Sequence, residues 1–187
     1  MKVLLIIPAY NEQENIEKTV KTIKDNNKDI DYIVINDGSK DNTPKILNEK
    51  NINHIDLVNN LGIGGAVQTG YKYAYENNYD IAIQFDGDGQ HDINCIDKII
   101  EPLVNEQVDM CIGTRYLDKS SSKFQSTFIR RLGSNIISLC IKICTGAKIT
   151  DPTSGFRAVN KKVIEEFAKH YPTEYPEPES TVSLLVN

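Results

Sequence analysis

No apolar run in this chain of 187 residues approaches the roughly 20 that a membrane-spanning helix needs, so none of it reads as a transmembrane segment. The opening Met1-Lys2-Val3-Leu4-Leu5-Ile6-Ile7-Pro8 is too short for a signal peptide and has no small-residue cleavage site. It reads as a first β-strand. The four cysteines, Cys95, Cys111, Cys140 and Cys144, form no C-x-x-C pair, and no histidine stands at zinc-finger spacing. They are expected as small buried hydrophobes in a reducing cytosol, with Cys140 and Cys144 sharing one helix face among isoleucines. An excess of positive charge is also missing. A net charge of −5 argues against nucleic acid as the main partner. Internal repeats and low-complexity segments are absent.

What remains is the composition of one globular domain, 40% hydrophobic and 25% charged. Short β-branched runs alternate with longer amphipathic stretches, which predicts an α/β fold: a mostly parallel central sheet flanked by helices. The strands fall at 2–8, 32–36, 54–58, 81–85 and 108–113. Asn11 and Glu14 have the spacing of a capping box for a first helix, whose inner face is Ile16, Val20 and Ile23. Thr43-Pro44 opens a second helix, and 64–78 and 93–106 supply two more. After Gly113 the rhythm breaks into a polar connection. A helix over 130–144 follows, then a strand after Arg157 and a helix over 161–170. The break divides the single domain into two halves, 1–113 and 114–187. The run Ser180 to Asn187 reads as a helix cut mid-pattern, so the sequence is expected to be a piece of a longer protein.

In open α/β sheets, ligands sit beyond the carboxyl ends of the strands. Four strand-end loops here are polar: Ala9 to Glu12, Asp37 to Asp41, Asn59 to Gly62, and Asp86-Gly87-Asp88-Gly89-Gln90-His91-Asp92. The last is the most informative. Asp86 and Asp88, one glycine apart in a turn, can both reach one hard divalent cation, with Gln90 as a further ligand or supporting group. His91 fits loop packing better than ligation. An EF-hand is excluded, because its sixth and twelfth positions hold His91 and Asp97 and a strand precedes the loop. A solvated acidic turn is the competing reading. The run Gly62-Ile63-Gly64-Gly65-Ala66-Val67 fits neither a dinucleotide fingerprint nor a P-loop, and reads as a helix start packed under a ligand. Asp37 is either a turn residue or an acceptor for a base or ribose. Arg115 either binds phosphate or pairs with a surface acid. Arg130-Arg131 is either a solvated face or the anchor of an amphipathic element on a membrane surface.

Together Pro8-Ala9-Tyr10-Asn11-Glu12, Asn36 to Asp41, Asp86 to His91 and Asp151-Pro152-Thr153-Ser154-Gly155-Phe156-Arg157 resemble the family 2 glycosyltransferases of GT-A fold. The branch is the one similar to dolichol-phosphate mannose synthase and the polyprenyl-phosphate glycosyltransferases. The resemblance implies that 1–113 is a nucleotide-sugar-binding half and 114–187 an acceptor-side half. It implies that Pro8, Tyr10, Glu12, Asp37 and Asp86 line a nucleotide pocket. It implies that Asp86, Asp88 and Gln90 hold Mg²⁺ or Mn²⁺ against a diphosphate, and that Arg115, Arg131 and Arg157 lie on the acceptor or phosphate side. The implied reaction is inverting transfer of a sugar from a UDP- or GDP-type donor to a polyprenyl phosphate or glycan, at the inner face of a membrane. A sugar hydroxyl as acceptor would need a base, for which Asp151 is the candidate, with Glu177 and Glu179 behind it. Two other readings are a sugar-phosphate nucleotidyltransferase and a non-catalytic, membrane-docked nucleotide-binding module.

Overall fold

The structure, a computed structural model, describes residues 1–26, 29–86, 93–114 and 128–186, with the backbone alone for 128–132. In chain order the elements are β1 (Val3–Ala9), α1 (Ile16–Asn26), β2 (Asp31–Asn36), α2 (Thr43–Glu49), β3 (His54–Asp56), α3 (Gly62–Glu76), β4 (Ile81–Gln84), α4 (Ile96–Val104), β5 (Met110–Ile112), α5 (Phe128–Thr145), β6 (Arg157–Asn160), α6 (Lys161–Lys169) and α7 (Pro176–Val186). The six strands form one sheet in the order β3-β2-β1-β4-β6-β5. This is the expected α/β architecture.

β1 shows why its sequence is apolar throughout. Leu5 and Ile7 point to one face, packing with Ile16, Val20 and Ile23 of α1, Leu47 of α2, and Ile96 and Ile99 of α4. Leu4 and Ile6 point to the other, against Ala66, Val67 and Tyr71 of α3 and Val163, Ile164 and Phe167 of α6. A strand covered on both faces keeps no polar alternation. Tyr71, Phe167 and Tyr171 close the second face as a ring cluster, with centroids 5.2, 5.4 and 4.9 Å apart.

β6 lies between β4 and β5 and is antiparallel to both, with Gln84 opposite Arg157. Its antiparallel course delivers the loop before Arg157 to the edge where the parallel strands end. The sheet therefore runs through both expected halves. Asn11 caps no helix: it has φ +56°, and its side chain accepts from the Lys40 N–H at 2.8 Å. The first turn of α1 hangs instead from the Glu12 carbonyl, which accepts from the Asn15 and Ile16 N–H groups. Pro176-Glu177-Pro178-Glu179, which holds the two reserve base candidates, forms the first turn of α7. Finally, Cys140 and Cys144 do share a face of α5, but that face is exposed.

Candidate active site

The carboxyl edge of the sheet is built from loops that hold one another. At the end of β2, Asn36 donates from Nδ2 to Asp56 Oδ1 at 2.6 Å and accepts from the Ser39 N–H at 3.2 Å. Gly38 then turns at φ +65°, where a side chain would meet Asn60 N at 2.8 Å, so glycine alone fits. Asp37 is buried. Its Oδ1 accepts from the Leu61 N–H at 2.7 Å, and its own N–H donates to the Ala9 carbonyl at 2.9 Å. The carboxylate thus ties the ends of β1 and β2 to the start of α3.

These ties shape a cleft of about 430 Å³ lined by Pro8, Ala9, Tyr10, Glu12, Asp37, Asn60, Gly62, Ile63, Ala66 and Asp86. The five residues expected around a nucleotide, Pro8, Tyr10, Glu12, Asp37 and Asp86, stand together in it. The cleft offers an aromatic ring, carboxylates and the backbone at a helix start. That set suits a ring system with hydrogen-bonding edges and a cation-bridged phosphate. Among the described residues no group of three or more His, Cys, Asp or Glu side chains is arranged to hold a metal ion. Asp86 is the described member of the expected set, and Asp88 and Gln90 lie outside the described residues.

Behind Asp86 sits the loop that leads into β6. A methyl group added at Gly155 would stand 2.6 Å from Asp86 Oδ2 and 2.8 Å from Oδ1, so the carboxylate lies directly on the glycine. Replacing Gly155 by Ala is therefore expected to push the carboxylate aside. An ångström of misplacement at a reacting centre can cost about 100-fold. We expect metal-dependent nucleotide binding, measured by calorimetry, to weaken by about 10–100-fold in G155A with the fold retained; unchanged affinity would refute the contact's importance.

The same loop is pinned by Arg157, which is fully buried. Its Nε donates to the Ser154 carbonyl at 2.7 Å and its Nη2 to the Pro152 carbonyl at 2.8 Å. Its Nη1 donates to Ser180 Oγ at 2.9 Å, Thr181 Oγ1 at 3.1 Å and the Glu177 carbonyl. Burial lowers its pKa, opposed by Tyr171, Glu177, Tyr71 and Asp151 around it. Beside it, Gln84 Nε2 donates to Glu177 Oε1 at 3.4 Å and Tyr171 Oη donates to Gln84 Oε1 at 3.4 Å. Burial raises the Tyr171 pKa above the usual tyrosine range, so the phenol stays protonated as donor.

A sheet ending in interlocked loops, with carboxylates after β2 and β4, is matched by comparison with known proteins. Residues 4–168 match the family model for glycosyl transferase family 2. The chain belongs to glycosyl transferase family 2. It is 37% identical over 194 residues to a UDP-N-acetylglucosamine–dolichyl-phosphate N-acetylglucosaminyltransferase of Methanococcus voltae, covering 91% of this chain and 76% of the relative. It is 33% identical over 173 residues to a dolichol-phosphate mannosyltransferase of Pyrococcus furiosus, covering 88% of this chain and 48% of that one. In fold it resembles glucosyl-3-phosphoglycerate synthase of Mycobacterium tuberculosis, solved with Mn²⁺, UDP and glucosyl-3-phosphoglycerate. The TM-score there is 0.73 at 17% identity, covering 98% of this chain and 66% of that one. Membership in this transferase family displaces the nucleotidyltransferase reading.

Within this family 2 glycosyltransferase the remaining expected residues fall in different places. Asp151 is buried, accepts from Thr153 Oγ1 at 3.2 Å, and borders a separate groove of about 1110 Å³ with Thr114, Lys148 and Ile149. Arg157 was expected on the acceptor or phosphate side, yet the donors just described point into the protein and fasten the loop to α7. Arg115 lies outside the described residues, and of Arg131 the backbone alone is described. Glu177, a reserve candidate in the sequence, reaches the end of β4, whereas Glu179 is exposed. Sequence reasoning missed Gln84, although a polar residue inside the apolar run 81–85 was a usable signal. Asn60, Gly62, Ile63 and Ala66, from the loop and helix start expected under a ligand, do line the cleft. The last three share a face at the start of α3 by i, i+1, i+4 spacing, which is recognisable once the helix start is known.

Proposed function

We propose that this chain transfers a sugar from a nucleotide-diphosphate sugar to a polyprenyl phosphate, with inversion and with a divalent cation, Mg²⁺ or Mn²⁺, at Asp86, Asp88 and Gln90. The observation that carries the reading is the single cleft uniting Pro8, Tyr10, Glu12, Asp37 and Asp86 at the carboxyl edge of the sheet. The relatives' names support the acceptor class, and a UDP-type donor is the first to try. Residues 1–113 hold the donor and 114–187 the acceptor side. Tyr10 and Asp37 position the nucleoside, and Asp86 stands at the phosphate end. An oxygen of the acceptor phosphate bonds to the anomeric carbon as the bond to the diphosphate breaks, and the electron pair leaves with the nucleotide. The bound cation would supply neutralisation of the charge on that leaving group. Arg115 and Arg131 orient the acceptor phosphate, a task suited to guanidinium groups. An ionised phosphate needs no base. A glycan acceptor would, and Glu177 then joins Asp151 as candidate because it stands beside β4.

The test is thermal-shift screening of UDP, GDP and dTDP with Mn²⁺. A ligand at 100 times its Kd stabilises by about 2.7 kcal/mol, and a domain of this size gains about 2–4 °C per kcal/mol, so a shift of about 5–10 °C is expected with UDP. No shift with any nucleotide would sink the reading. Transfer from a bound donor that depends on added lipid phosphate separates the enzyme from a non-catalytic module.

A further inference from the structure

Gln84 is the polar residue of β4, after Ile81, Ala82 and Ile83, and it is completely buried. A buried amide is costly unless it is hydrogen-bonded, so its partners indicate what it is for. Its backbone pairs with β1 and β6 like that of any central strand. Its side chain reaches beyond the sheet. Nε2 donates to Glu177 Oε1 and Oε1 accepts from Tyr171 Oη, each at 3.4 Å. Tyr171 is itself fixed by ring packing on Tyr71 and Phe167. The amide is thus anchored at one end by a packed phenol and aimed at Glu177 with the other.

Glu177, in the first turn of α7, is held from both its ends. Its carbonyl accepts from Arg157 Nη1, from Thr181 Oγ1 at 2.9 Å and from Ser180 Oγ at 3.2 Å. Its carboxylate is held through Oε1 by Gln84. The other oxygen, Oε2, has no hydrogen-bond partner among the described residues, and the residue is only half-buried. The place is the working end of the sheet: Asp86 follows Gln84 by two residues, and the Tyr171 phenol feels the charges of both Glu177 and Asp86. A free carboxylate oxygen there is an acceptor for O–H donors. The sugar of the donor carries several hydroxyl groups, whereas a polyprenyl phosphate brings none. We propose that Gln84 is a positioning residue for the transfer, holding the Glu177 carboxylate so that Oε2 accepts a hydrogen bond from a hydroxyl group of the donor sugar. This role of Gln84 rests on the transferase reading and adds to it the group that orients the carboxylate.

The experiment compares UDP-glucose, UDP-N-acetylglucosamine and GDP-mannose, each against its own nucleoside diphosphate, by calorimetry with Mn²⁺, and follows transfer of the sugar that the wild type uses. Gln84→Met keeps the volume of the side chain and removes both hydrogen bonds. It is expected to leave affinity for the diphosphate unchanged, because the residues lining the nucleotide cleft are untouched. The sugar's added affinity is expected to fall by about 10–100-fold, the worth of a hydrogen bond to a charged group. Transfer is expected to fall by about 100-fold, as for a contacting group misplaced by an ångström. A second variant exchanges the pair, Gln84→Glu with Glu177→Gln. The amide at position 177 then donates to the carboxylate at position 84, which still accepts from Tyr171. The melting temperature is expected to match that of the wild type, while sugar affinity and transfer stay low because the oxygen offered at position 177 is no longer anionic. A structural role alone predicts otherwise, and any of its signs overturns the proposal: diphosphate affinity that falls in step with sugar affinity, or transfer that returns with the melting temperature in the exchanged pair. Wild-type sugar affinity and transfer in Gln84→Met overturn it as well, with the transferase reading intact. A wild type that transfers no sugar overturns both.

Discussion

Asp86→Asn is expected to lower sugar transfer by about 100–1000-fold and to erase the Mn²⁺-dependent part of the UDP thermal shift, with the melting temperature of the unliganded protein nearly unchanged. Asp and Asn are nearly isosteric, and Asp86 is only half-buried at the mouth of the cleft, so the packing on Gly155 survives. What is lost is an anionic oxygen for a hard cation. Removing one element that stabilises developing charge in a transition state typically costs that much in rate. The measurement is transfer of labelled sugar to a polyprenyl phosphate in parallel with the thermal shift. Unchanged transfer would dismiss the metal assignment. A large fall in transfer with an intact Mn²⁺-dependent shift would move Asp86 from cation binding to orientation of the sugar.

That prediction could be framed from the sequence because the relevant information is local. Ile81-Ala82-Ile83-Gln84-Phe85 specifies a strand, and a carboxylate immediately after it stands at the strand's end whatever the rest of the fold does. The same holds for Asp37 after β2 and for Tyr10 and Glu12 after β1, so the cleft's wall was legible. β6 was not legible in the same way. Its place between β4 and β5 depends on Gln84 finding Arg157 across the sheet, a pairing that local periodicity does not encode. Periodicity failed differently at α5. It revealed that Cys140 and Cys144 share a face among isoleucines, but not that Ser134 and Ile141 are the residues turned inward. Asn11 misled for a third reason. Its spacing to Glu14 satisfies a capping box, while the side chain is claimed by the Lys40 N–H from a loop 29 residues away.

Arg157 is where sequence and structure diverge most, and it carries the largest expected stability effect. Arg157→Met keeps the apolar stem but removes the guanidinium. The carbonyls of Pro152, Ser154 and Glu177 and the hydroxyls of Ser180 and Thr181 then lose a charged donor in a buried place. Removing one partner of such a buried charged network typically costs about 3–5 kcal/mol. At about 2–4 °C per kcal/mol, the melting temperature is expected to fall by roughly 6–20 °C. Arg157→Lys is expected to recover only part of this, since one ammonium cannot reproduce a planar fork directed at partners on both the 152–154 loop and α7. The loop also carries Gly155 against Asp86, so the Met variant should lose Mn²⁺-dependent UDP binding even at temperatures where it is folded. An arginine whose task is to bind acceptor phosphate predicts a different outcome: a wild-type melting temperature, wild-type UDP binding, and a raised KM for the lipid phosphate. Scanning calorimetry of the two variants, with acceptor kinetics on the Lys form, separates a residue that fastens the site from one that touches the substrate.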